Sequence, residues 1–86
     1  MGATILVVED EPNIRALVCL HLGVEGFSCV EAADGPAALT EAAAQRFDIV
    51  ILDLMLPGLD GLSVCRAIRR GGLNATVPVQ IGRAHV

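Results

Sequence analysis

Two runs, Thr4–Val8 (TILVV) and Ile49–Leu52 (IVIL), hold only apolar or β-branched residues. Both are too short for an ordinary helix. Neither alternates apolar with polar, as a strand with one wet face does. Each therefore reads as a strand covered on both sides, which calls for helices on both faces of the sheet. The segments between supply them. After the first run, Pro12 stands where a first helical turn accepts proline, and Ile14, Leu17, Val18 and His21-Leu22 recur at helical spacing, with Gly23 as the stop. Phe27–Ala32 reads as a second strand. Asp34-Gly35 is a turn, and Pro36 opens an Ala-rich helix to about Gln45. After Ile49–Leu52 comes a Pro/Gly loop, then a helix from about Leu62 to Arg70 with Cys65 and Ile68 inward. Its end carries Arg66, Arg69 and Arg70, where cations suit the helix dipole and face solvent. Gly71-Gly72 breaks it, and Val77–Val79 starts a fourth strand. The order βαβαβαβ predicts an α/β fold with a parallel, doubly wound sheet.

Size and charge narrow the function. The 86 residues suffice for one small domain. At 53% hydrophobic and 2% aromatic, its core must be aliphatic, and such a chain is too apolar to be disordered. A net charge of −4 argues against nucleic-acid binding by this segment, since phosphate binding needs clustered cations. All six basic residues are Arg; Lys is absent. The three cysteines, Cys19, Cys29 and Cys65, include no CxxC pair and read as small apolar residues of a reducing cytoplasm. No apolar run is long enough for a signal peptide or a membrane span.

The acids are placed with less freedom. In open parallel sheets, functional groups gather beyond the carboxyl ends of the strands. Glu9 and Asp10 follow the first strand, and Asp53 follows the third. If those strands are neighbours, three carboxylates converge. Two like charges about 4 Å apart repel by about 4 kcal/mol at an effective dielectric near 20. A hard divalent cation offsets that repulsion, and Mg²⁺ favours one or two carboxylates, waters and a phosphate oxygen. Asp53 would then be placed to attack a phosphoryl group. Acids after strands also serve as helix N-caps, which is the simpler reading for Glu11 and Asp60. His21 and His85 have no ligand-like companions and read as surface or packing residues.

These residues carry a resemblance. ILVVEDEPNIR (Ile5–Arg15) is similar to the first strand, acid pair and first helix of the receiver (response regulatory) domain of bacterial two-component response regulators. DLMLPGLDG (Asp53–Gly61) resembles the phosphoacceptor loop D-x-x-x-P-x-x-D-G, and AADG (Ala32–Gly35) and VPV (Val77–Val79) fit the second and fourth strands. The resemblance covers about residues 4 to 79 and implies a flavodoxin/CheY-like (βα)₅ fold of strand order 2-1-3-4-5, incomplete here. It implies that Asp53 takes phosphate from a sensor histidine kinase. Mg²⁺ would be held by Glu9 through water, by Asp10, by Asp53 and by the Met55 carbonyl, with Pro57 and Gly61 shaping the loop. Within the family, VEDEPNIR and LMLPG look most like the OmpR/PhoB-type transcription regulators. That implies a cytoplasmic phosphorelay switch rather than a turnover enzyme, with DNA binding left to a C-terminal domain outside this chain.

The resemblance stops at the carboxyl end. The family's switch Ser/Thr after strand four falls at Arg83, and its strand-five Lys has no counterpart. The tail QIGRAHV does not continue a strand-four pattern. ATC GGA AGA GCA CAC GTC encodes IGRAHV and matches the start of a common sequencing adapter; a preceding CAG gives Gln80. The expected organisation is therefore a truncated receiver domain over residues 1–79 and a non-native tail over 80–86, an inactive fragment if the switch is lost. Two other functions fit worse. A haloacid-dehalogenase-type phosphatase has a second Asp two residues after its nucleophile, where this chain has Met55. A nucleotide-binding module wants a glycine-rich turn after the first strand, where this chain has Glu9-Asp10-Glu11.

Overall fold

A computed structural model describes residues 2–53, 56 and 60–82. The elements are β1 (Thr4–Val8), α1 (Pro12–Val24), β2 (Ser28–Ala32), α2 (Gly35–Ala44), β3 (Ile49–Asp53), α3 (Gly61–Arg69) and β4 (Val79–Gly82). The four strands are parallel in the order β2-β1-β3-β4. β1 is thus interior, which accounts for its unbroken apolar run: Ile5, Leu6, Val7 and Val8 are all buried.

Alternation along the strands sends the two sets of side chains to opposite faces. Leu6 and Val8 join Val50 and Leu52 in a core cluster with Ala38 and Ala42 of α2 and Val64 and Ile68 of α3. Ile5 and Val7 point the other way, to the face where α1 packs on β1 and β2. Helices on both faces make the sheet doubly wound, as expected. The two faces are unequally covered. No residue of α1 is fully buried, and Leu17, Leu20 and Val24 are exposed.

Several boundaries depart from the sequence reading, each for a local reason. α1 runs through Gly23 to Val24, and the turn falls at Gly26 (φ 94°), where only a residue without Cβ is comfortable. Gly23 has no positive φ, so it does not terminate the helix. α2 and α3 start one residue early, at Gly35 and Gly61, because Asp34 and Asp60 cap them by accepting from Ala37 N–H and Ser63 N–H. β4 begins at Val79 rather than Val77 and takes in Gln80, Ile81 and Gly82, which pair with Ile51, Leu52 and Asp53. Val77 is buried in the core, and Pro78, which lacks an N–H, contributes its carbonyl to Val50 N–H. Arg69 is not simply a solvated helix end: its Nη1 donates to the carbonyls of Ala75 and Val77, tying α3 to the segment that leads into β4.

Candidate functional site

The site forms where β1 and β3 end side by side. Val8 pairs with Leu52, so the next residue on each strand, Glu9 and Asp53, emerge together. Asp53 is the last residue of β3 rather than a loop residue beyond it, and it is held by pairing with Gly82. Glu9 extends the ladder by donating its N–H to the Ala32 carbonyl. Asp10 follows in the turn before α1. One carboxylate oxygen from each of Glu9, Asp10 and Asp53 lies within 4.8 Å of the others.

Burial differs sharply among the three. Glu9 is 3% exposed and Asp53 5%, whereas Asp10 faces solvent. Glu9 Oε2 accepts from the Glu11 N–H at 2.9 Å, while Oε1 is buried with no hydrogen-bond partner among the described residues. Loss of water pushes the Glu9 carboxyl above its ordinary range. The Glu11 N–H pulls it back in part, and the neighbouring carboxylates of Asp10 and Asp53 push it up again. A negative, partly dehydrated cluster with a spare buried oxygen is the donor set a hard cation satisfies.

The surroundings assign the other acids. Glu11 is the N-cap of α1 and accepts from Asn13 N–H at 3.0 Å. Asp60 caps α3 and stands outside the carboxylate group; its bond from Ser63 N–H holds its carboxyl below the usual range. Gly61 is buried as the first residue of α3. Met55, Pro57, Arg83 and His85 lie outside the described residues. His21 is exposed on α1.

Two residues that matter to this geometry were not singled out from the sequence. Arg15, one turn into α1, donates from Nη1 to the Glu9 carbonyl at 2.8 Å and from Nε to Glu31 Oε1 at 2.9 Å. It fixes the backbone that carries Glu9. Asn74 is buried; its amide donates to the carbonyls of Ala42 and Gln45, and its oxygen accepts from Phe47 N–H at 2.8 Å. It locks the turn that feeds β3. Arg15 had one readable signal, a cation one turn past an acid pair. Asn74 had none, because its three partners are 27 to 32 residues away in sequence.

This arrangement has relatives. The sequence matches the profile of the response regulator receiver domain over residues 5–85. The DNA-binding response regulator MtrA of Mycolicibacterium smegmatis is 45% identical over 80% of this chain. The alkaline phosphatase synthesis transcriptional regulatory protein SphR of Synechococcus elongatus is 49% identical over 91% of it. The chain spans 30% and 33% of those two proteins. Among solved structures, the receiver domain of the sensor histidine kinase PA1611 from Pseudomonas aeruginosa, crystallised with a magnesium ion in its active-site cleft, superposes with a TM-score of 0.89. That match is 36% identical and covers 94% of this chain and 66% of the other. Parallel strands in the order β2-β1-β3-β4, carboxylates converging at the ends of β1 and β3, and a profile match over nearly the whole length lead to one assignment: the chain belongs to the response regulator receiver domain family.

Proposed function

We propose that the chain is a phosphoacceptor switch in which Asp53 accepts a phosphoryl group from a phosphohistidine of a sensor histidine kinase. The observation that carries this reading is the meeting of Glu9, Asp10 and Asp53 within 4.8 Å at the ends of neighbouring strands. In the transfer, an Asp53 carboxylate oxygen forms the new O–P bond as the P–N bond to the imidazole breaks, and the imidazole leaves with its electron pair. Glu9, Asp10 and Asp53 would hold Mg²⁺, with the Met55 carbonyl as a further ligand; when bound, the ion neutralises charge on the phosphoryl oxygens. Burial of Asp53 keeps its carboxylate in one place, and Arg15 holds the backbone at Glu9. The proposed role is that of a switch and not of a turnover enzyme.

The likeness to MtrA and SphR supports a parent of the OmpR/PhoB type, a cytoplasmic transcription regulator that binds DNA through a separate C-terminal domain. Among the described residues no helix is long and apolar enough to cross a membrane. A phosphatase of haloacid-dehalogenase type is disfavoured by Met55, which stands where that chemistry needs an acid.

The test is incubation with acetyl phosphate and Mg²⁺, followed by intact mass measurement. The parent chain gains one phosphoryl group, and both Asp53→Asn and the parent in chelator gain none. Equal labelling of parent and variant overturns the proposal.

A further inference from the structure

α1 lies along β2, the edge strand of the sheet, and runs antiparallel to it, so positions on the two elements match in steps. Four residues of helix advance about 6 Å and two residues of strand about 6.6 Å. Arg15 fixes the phase by its 2.9 Å ion pair with Glu31. One turn along the helix and two residues back along the strand, Cys19 falls opposite Cys29. The strand register agrees: Cys29 and Glu31 pair with Ile5 and Val7, the β1 residues of the α1 face. Both cysteines are free and partly exposed. Cys65 belongs to the other face, where it packs against the α2–α3 core.

We infer that Cys19 and Cys29 form a reversible disulfide that clips α1 to the edge strand, a thiol-switch site whose reaction partner is a low-molecular-weight disulfide. Burial and the neighbouring Cys29 push the Cys19 thiol up to about 12. With Cys29 as the first nucleophile, its thiolate attacks one sulfur of the small disulfide, forming a mixed disulfide and expelling one small thiolate. Cys19 then loses its proton to solvent and attacks the Cys29 sulfur of the mixed disulfide, expelling the second small thiolate. Two protein thiols are oxidised to one disulfide, and one small disulfide is reduced to two thiols. In a reducing compartment the clip stays open; it closes when small disulfides accumulate.

The experiment equilibrates the folded chain with oxidised and reduced glutathione at graded ratios, quenches by alkylation, and cleaves after glutamate. Cleavage at Glu25 separates Cys19 from Cys29, so the two peptides stay joined only through a disulfide. The expected result is a linked Cys19–Cys29 pair, alkylated Cys65, and a rise in Tm of about 10 °C that reductant reverses. Closure should quicken with rising pH, and the Cys29→Ser variant should give no linked pair while keeping the parent's fold by circular dichroism. Separate glutathione adducts on Cys19 and Cys29 with no linked pair overturn the inference, as do pairs with Cys65 formed as often as Cys19–Cys29. Repeating the reaction in urea checks that geometry directs the pairing: a linked pair that forms equally well in the unfolded chain also counts against it.

Discussion

Glu9 carries a clear local cost, as an acid 3% exposed with two other carboxylates beside it. Its neutral replacement separates cost from purpose. Glu9→Gln should raise the metal-free Tm by about 4–8 °C, as expected if roughly 1 kcal/mol of repulsion and desolvation is relieved. The same change should weaken Mg²⁺ binding about tenfold, a loss typical of residues that support a metal through water. Thermal melts with and without metal, and a calorimetric titration, read the two effects. Asn74 is the contrasting residue, since it has no chemical role and a large structural one. Asn74→Ala leaves the Phe47 N–H and the Ala42 and Gln45 carbonyls to find new partners inside the protein. The expected loss is about 3 kcal/mol, seen as a lower urea midpoint with an unchanged slope. The acids were legible from sequence because each ends an apolar strand, and strand ends have fixed meaning in a parallel sheet. Asn74 and Arg15 were not, because their value lies wholly in partners that folding brings near.

The elements were legible wherever a local rule decided them. β1 stood out because a buried interior strand admits no polar residue, and its bounds match the apolar run. The helix starts lay within one residue of the sequence reading; the cap at Asp34, read there as part of a turn, accepts from Ala37 N–H at 2.8 Å, and Asp34→Ala should cost about 1 kcal/mol by urea denaturation without touching phosphorylation. Helix ends were harder. Gly23 looked like a stop, but chain reversal was set by the left-handed conformation at Gly26, three residues on. β4 shows the same limit in another form. Gln80, Ile81 and Gly82 have no strand-like pattern, yet backbone pairing with β3 requires none. The strand register accepts these residues and the family profile extends to residue 85. The codon match, by contrast, points to 80–86 as translated adapter, the reading we propose for the tail. Resequencing the source DNA decides between them: the proposal expects the genomic reading frame to diverge after Val79, and an intact frame through Val86 refutes it.

At the scale of the molecule, the acid cluster and the thin core act on the same quantity. A chain of 86 residues commands roughly 4–13 kcal/mol of stability at the usual 0.05–0.15 per residue. Its exposed surface, 5080 Å², is close to the roughly 4,800 Å² usual for a folded monomer of this mass, so the fold is ordinarily compact. What is unusual is where the apolar surface lies, with Leu17, Leu20 and Val24 of α1 open to water. Against so small a margin, an ion that binds only the folded state weighs heavily. Mg²⁺ at a hundred times its dissociation constant adds about 2.7 kcal/mol, or about 10–20 °C in Tm. The effect has a pH signature whose sign is fixed by Glu9. Its carboxyl titrates above the ordinary 4.5 in the folded chain, so between that value and the raised one the folded state holds a proton that the unfolded state has released. Stability of the metal-free protein is therefore lost as pH rises through this window and regained as pH falls through it. Asp10 and Asp53 face Glu9 and add to the effect; Arg15 meets only its backbone carbonyl. At the proposed site Mg²⁺ would compete with the same proton, so its stabilising effect should be full at neutral pH and should fade as pH approaches 4.5. Melting curves across that range, with and without Mg²⁺, should converge at the acid end for the parent. In Glu9→Gln the metal-free curve should lose its acid-side rise. Parallel curves at all pH values would show that metal and proton do not share the site.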